Sequence, residues 1–190
     1  MEQSYRYDRV AITLHWLIAV LILVNIGIGL GFPDPLPGQR FSPKPLLPLH
    51  ISIGISVLLL SLARLAWRLT HRPPPYRWPL PNREHLLARA GHWAFYGLMI
   101  LMPLTGWMAI SAHKVQKTPL RLFGLHWPHF PVFPMLPAVL VDRLHDLLVI
   151  AHAFLTAWLM PALLALHVAA IAKHHLIDRK PLLGRMLGGK

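Results

Sequence analysis

Four stretches of this chain carry almost no charged side chain for about 20 residues at a time, the length that crosses the hydrocarbon core of a bilayer. They run from Val10 to Gly31, from Leu46 to Trp67, from Ala90 to Ala112 and from about Leu144 to Ala172. With their polar ends the predicted helices cover about 10–31, 46–69, 90–112 and 144–173. Gly31, Pro33, Pro35 and Pro37 forbid continuation of the first, because proline offers no N–H and clashes with the preceding turn. Pro103 and Gly106 are expected to bend the third in its outer half. The connection from His113 to Arg143 holds Pro119, Pro128, Pro131, Pro134 and Pro137. It is too long for a plain connector, so it is expected to cap one face of the bundle. The pattern predicts an all-α membrane protein, a four-transmembrane-helix up-down-up-down bundle forming a single domain over residues 1–190.

Composition agrees: 55% of residues are hydrophobic, 14% are charged, and the mean hydropathy is +0.47. The first segment follows Arg6 and Arg9 as a secretion signal would, but it is long and lacks a clear small-residue cleavage site, so it reads as a retained helix. Cysteine is absent, which removes disulfides, thiolate metal sites, iron–sulfur clusters and covalently attached c-type haem. Any metal must be held by imidazole or oxygen. The net charge of +12 is concentrated in one set of loops, not in a nucleic-acid patch, and no nucleic-acid partner is expected. The N-terminus, the connection between the second and third helices (counted with Arg64 and Arg68 at its edge) and the C-terminal tail hold 13 of the 19 Lys and Arg residues. The positive-inside rule then places both termini in the cytoplasm.

Imidazoles in apolar helices lose their water and need partners. His15 and His167 lie at similar distances from the cytoplasmic ends of the first and fourth helices, while His50 and His152 lie near the outer ends of the second and fourth. On the fourth helix the two are separated by 15 residues, about 22 Å along the axis and about 60° around it. Both can therefore face the bundle interior, with Pro161 between them able to shift the phase. A lone membrane histidine more often bonds a neighbouring helix than a metal. Pairs at both depths, with no cysteine and no carboxylate in the central spans, change that: two imidazoles at one level on facing helices are the axial set that haem iron needs. The expectation is two haems, one between His15 and His167 and one between His50 and His152. Gly54, one turn after His50, would leave a bare patch for a flat macrocycle.

Arg64 and Arg68, one turn apart at the inner end of the second helix, can each meet a haem propionate. The same places suit arginines that anchor a helix end in headgroups. His92, at the inner end of the third helix, can bond a propionate or pass a proton; core packing or an interfacial role is the simpler reading. His174 and His175 lie beyond the expected span and read as surface residues, as do His71, His85 and His113 at helix ends and in loops. His126 and His129, in "LHWPHFP", could bind a metal, but their Trp and Pro neighbours favour a packed cap.

With these residues in view the chain resembles the prokaryotic cytochrome b561 family of four-helix, di-haem membrane proteins. "RYDRVAITLHWLIAVLIL" is similar to the family's opening and "LHISIGISVLLLSLARLAWRL" to its second helix. "GHWAFYGLMILMPLTGWM" is similar to its third helix, and "ALHVAAIAKHHL" to its close. The resemblance covers essentially the whole chain, implies that both haems are haem b, and carries the axial ligands to His15 with His167 and to His50 with His152. One spacing departs, since the stretch from His152 to His167 is one residue longer than the family's; a kink at Pro161 would absorb it, and His145 at the helix mouth is the alternative ligand.

Iron with two imidazoles has no open position, which argues against oxygen binding and for one-electron transfer. A membrane quinone, ubiquinone by resemblance, is the expected acceptor. Because some members of the family are superoxide oxidases, the resemblance implies a superoxide:quinone oxidoreductase of the bacterial inner membrane, receiving electrons from superoxide or from a redox protein partner. Lys114, Lys117, Arg121 and Arg143 in the outer connection would steer a small anion inward, although a generally basic chain gives the same count. The alternative is a haem-bearing membrane anchor subunit of a dehydrogenase complex. A histidine-lined metal transporter ranks last, because such pathways want intramembrane carboxylates, and Asp142 and Asp146 sit only at a helix mouth while Glu84 lies outside the spans.

Overall fold

The computed structural model describes residues 5–32, 44–76, 81–113, 119–180 and 182–187. Pro33, Pro35, Pro37, Lys114 and Lys117 lie outside the described residues. Four helices are long and apolar enough to cross a membrane: α1 (Arg9–Leu30), α2 (Leu47–Thr70), α3 (Asn82–Ala112) and a final span, Ala138–Ile177. That span comprises α4 (Ala138–Phe154) and α5 (Met160–Ala172), joined and followed by single π-helical turns at Leu155–Leu159 and Lys173–Ile177. Helices suit lipid because each satisfies its own backbone donors and acceptors.

Helices adjacent in sequence are adjacent in space, and α5 also packs on α3 while the first π turn touches α1, so the bundle closes. Four spans bring both termini to one end, called here the terminal face; the opposite end is the distal face. The apolar surface is turned outward along the spans, with Leu23 60% exposed and Leu166 67% exposed, as lipid-facing helices require. Between the two ends Ile18, Ile22, Ile53, Val57, Tyr96, Met99, Met102 and Met160 form the central core.

Two helices begin earlier than their apolar windows. α3 starts at Asn82, so Glu84 stands in its first turn, where a carboxylate complements the helix dipole. α4 starts at Ala138, directly after Pro137, since proline is preset for a helix start. α3 runs on through Pro103 and Gly106 to Ala112. The fourth span also reaches further than its apolar window, taking His174 and His175 into its last π turn.

The connection before α4 lies over the distal face. Its hairpin pairs β1 (Arg121–Leu122) with β2 (Leu125–His126), turning through Phe123 and Gly124 at φ 48° and 94°. The Ser52 hydroxyl lies 2.9 Å from the Arg121 carbonyl and accepts the Phe123 N–H at 3.1 Å, pinning the hairpin to α2. Trp107 Nε1 donates to the Pro128 carbonyl at 3.0 Å and the Phe130 N–H to Ser111 Oγ at 2.9 Å, holding the rest to α3.

The terminal face is tied by Arg185. Its guanidinium donates to the carbonyls of Tyr5 (3.0 Å), Pro74 (2.5 Å) and Pro75 (3.2 Å) and stacks on the Tyr76 ring, 4.3 Å from its centre. The Tyr7 N–H donates to the Arg185 carbonyl, and Trp16 Nε1 to that of Met186. One side chain thus joins the start of the chain, the α2–α3 connection and the tail.

Candidate haem site

The four interior histidines come together as two pairs, one near each end of the bundle. At the distal end His50 of α2 faces His152 of α4, ring centres 6.1 Å apart at 89°. At the terminal end His15 of α1 faces His167 of α5, ring centres 6.4 Å apart at 59°. All four are half-buried. An imidazole nitrogen binds a metal at about 2 Å, so two imidazoles on opposite sides of one ion have ring centres about 6 Å apart. Both pairs fit that spacing.

The surroundings fix the rings. His152 Nδ1 lies 2.9 Å from the Met102 carbonyl and 3.3 Å from Thr105 Oγ1. Donation to the carbonyl selects the tautomer that leaves Nε2 with a lone pair, as an orienting partner does for a metal-bound histidine. Glycines let the rings sit close to backbone. A Cβ at Gly106 would stand 2.9 Å from His152 Cε1, and one at Gly29 would stand 3.2 Å from His50 Cε1. Neither glycine was read from sequence as a seat for an imidazole; the available signal was a small residue on each facing helix, and Gly106 was read as a bend. At Gly54 an added Cβ meets Asn25 Nδ2 at 3.6 Å, an ordinary contact, so Gly54 has no comparable tightness.

Between His152 and His167, where the resemblance implies one extra residue, the helix makes a π turn at Leu155–Leu159, and the Met160 N–H reaches back five residues to the Leu155 carbonyl. A π turn holds one more residue than an α turn, and this one ends two residues before Pro161, which has no N–H to give an α-helical partner. The phase shift expected at Pro161 is therefore located one turn earlier. His145 is turned away from His50: its Nδ1 donates to the Ala109 carbonyl at 3.0 Å.

At the terminal end a polar recess is lined by Tyr7, Arg64, Arg68, His92 and Tyr96. Arg64 Nη1 donates to the Ala11 carbonyl at 2.7 Å, committing one of its donors to α1. Arg68 Nη1 is buried without a partner among the described residues, a costly state for a cation and one that a haem propionate would relieve. Burial raises the pKa of Tyr7 at the edge of this recess, and nearby Arg185 and Arg68 oppose the rise. His92 stands 6.1 Å from His167 by ring centres, so distance alone does not separate it from His15. His92 has the more solvent-accessible side chain of the two, and its Nδ1 donates to the Ala88 carbonyl at 2.5 Å.

The remaining histidines are dispersed. His71 stacks on Trp67 at 3.7 Å, and His85 lies edge-on to Tyr76. His126 and His129 join no three-ligand group among the described residues; Glu84, His174 and Asp178 do. That group already holds the Lys173 ammonium, 2.5 Å from Glu84 and 3.0 Å from Asp178. His113 lies beside His145.

A bundle of membrane helices with paired interior imidazoles, each pair spaced for one metal between two rings, defines a class: the helical membrane proteins built around an internal redox cofactor. The family profile for prokaryotic cytochrome b561 matches residues 6–189. The chain belongs to the prokaryotic cytochrome b561 family, whose members are membrane b-type cytochromes. It is 32% identical over 188 residues to "Cytochrome b561 homolog 2" of Escherichia coli (strain K12), covering 96% of this chain and 92% of that one. It is 27% identical over 190 residues to "Probable superoxide oxidase CybB" of Yersinia pestis, covering 97% of each. The family implies haem b, electron transport and a multi-pass bacterial membrane protein.

Proposed function

We propose that this chain is a di-haem b cytochrome of the bacterial inner membrane, termini in the cytoplasm, that moves single electrons from superoxide at the distal face to ubiquinone. The observation that carries the reading is the two imidazole pairs, at 6.1 and 6.4 Å, one near each end of the bundle. His50 and His152 hold the distal haem; His15 and His167 hold the terminal one. Arg68, Arg64 and His92, which line the terminal recess, would meet the propionates of the terminal haem. Bound haem b supplies one-electron redox chemistry, and two of them match a one-electron donor to a two-electron quinone.

The side chains do the rest. With both imidazoles of a pair bound to it, haem iron would have no site left for oxygen. The Met102 carbonyl holds His152 in its ligating tautomer. Arg121, Arg143 and Lys44 place positive charge at the distal face, which attracts a small anion. The overall conversion balances as two superoxide anions, one quinone and two protons giving two dioxygen molecules and one quinol. The Yersinia pestis relative's name supports superoxide as donor.

Two measurements test this. Substituting His50 or His152 by Ala removes one haem b per chain and leaves the other, and substituting His15 or His167 removes the second; loss in the crossed pattern breaks the pairing. Stopped-flow mixing of oxidised protein with superoxide, with ubiquinone present, reduces haem and forms quinol. Reduction only after a dehydrogenase is added would favour the anchor-subunit reading instead.

A further inference from the structure

We propose that His113 and His145 form a binding site for a divalent transition-metal ion such as zinc, at the distal mouth of the bundle and separate from the haem ligands. Their ring centres lie 5.1 Å apart at 78°. Two imidazoles on a tetrahedral ion, each nitrogen about 2 Å from it, have ring centres about 5 Å apart, against about 6 Å for rings on opposite sides of one metal. The pair therefore has the spacing of neighbouring ligands on a tetrahedron, which distinguishes it from both haem pairs.

The tautomer is suitable. His145 Nδ1 donates to the Ala109 carbonyl at 3.0 Å, so its Nε2 carries the lone pair, and an outer partner of this kind orients metal-binding imidazoles generally. Both rings stand on rigid elements. His113 caps α3 immediately after Ala112, which is 2% exposed, and His145 follows Val141 by four residues on α4. Ala112, Val141 and Phe133 pack together as the distal core cluster. Both rings are half-buried, so an ion can reach them from solvent.

Charge beside the pair is mixed: Arg143 lies two residues before His145, and two carboxylates offset it. Of seven Asp and Glu residues in the sequence, Asp142 and Asp146 flank His145, and Asp142 at i−3 shares its helix face. Imidazole selects zinc, copper or nickel over magnesium or calcium. With two protein nitrogens, water fills the remaining positions and binding is reversible. His145 and His152 are seven residues apart on α4, about two turns or 10 Å. A bound ion thus sits on the approach to the distal pair. Binding itself does not depend on the haem assignment.

The test uses tag-free, haem-loaded protein in detergent. Zinc titration by calorimetry should show one ion per chain lost together with the His113–His145 pair: His113→Gln and His145→Gln each weaken it at least tenfold, with haem absorbance per chain unchanged. Copper substituted for zinc should show two equatorial nitrogens by electron paramagnetic resonance in the unaltered protein, a readout that needs no variant to fold. Glu84→Gln with His174→Gln should leave this ion in place. The proposal is overturned if a variant carrying both His113→Gln and His145→Gln still binds zinc at wild-type affinity, if the ion is lost with the Glu84 and His174 changes, or if copper shows fewer than two nitrogens.

Discussion

Replacing Gly106 by alanine is the sharpest probe of the distal pair. The new methyl would stand 2.9 Å from His152 Cε1 and 3.1 Å from Nδ1, whereas carbon atoms in ordinary contact are about 3.5 Å apart or more. The ring must retreat by about half an ångström, and it cannot do so and keep its 2.9 Å bond to the Met102 carbonyl. Losing that bond costs about 1 kcal/mol, and overpacking a filled interior costs about 2 kcal/mol. Alanine recovers about 1 kcal/mol of helix propensity over glycine. The net, about 2 kcal/mol against the native setting of His152, corresponds to roughly a 30-fold weaker hold on a distal cofactor. The assay is haem b per chain, from reduced-minus-oxidised absorbance, after challenge with a haem-accepting protein. A graded series is expected. Gly106→Ala loses distal haem fastest, and Gly29→Ala, where the clash with His50 is 3.2 Å, is intermediate. Gly97→Ala, with nothing within 4 Å, behaves as wild type. Equal retention in all three would refute the argument that these glycines seat the imidazoles.

Arg68→Gln removes the buried cation beside the terminal pair; redox titration should show one of two haem potentials lowered by roughly 60 mV, the equivalent of about 1.4 kcal/mol, with the other unmoved. Asp8 caps α1, accepting the Ala11 N–H at 2.9 Å, and Asp8→Ala should cost about 1 kcal/mol in thermal or denaturant unfolding. The pKa of Asp8 is raised by burial, but bonds from the Ala11 N–H and the Trp67 indole outweigh that and hold it below the ordinary carboxylate value. Its contribution is therefore complete above about pH 4 and is lost as pH falls through the depressed folded value; the wild-type advantage over Asp8→Ala should shrink in that window, and an advantage that grows on acidification would refute the sign.

The spans were legible because lipid demands long uninterrupted apolar runs, and the imidazole pairs because depth in a helix is simple arithmetic from its end. Helix starts were less so: Asn82 and Ala138 begin helices in polar or Pro-rich sequence where an apolar window has no signal. The π turn was inferable only as one residue too many between His152 and His167, and hydropathy cannot say where a helix stores it. The meeting of His113 with His145, like that of Arg185 with Tyr76, joins segments 32 and 109 residues apart. No local pattern encodes such contacts. Nor could sequence distinguish Gly106 as a seat from Gly106 as a hinge, since both uses need only the missing side chain.

The Arg185 clasp has a consequence for biogenesis. Its partners, Tyr5, Pro74, Pro75 and Tyr76, are made long before residue 185 leaves the ribosome. The clasp over the terminal recess with Arg64, Arg68 and His92 therefore closes only after residue 185 has been made, by which point both His15 and His167 are already in the chain.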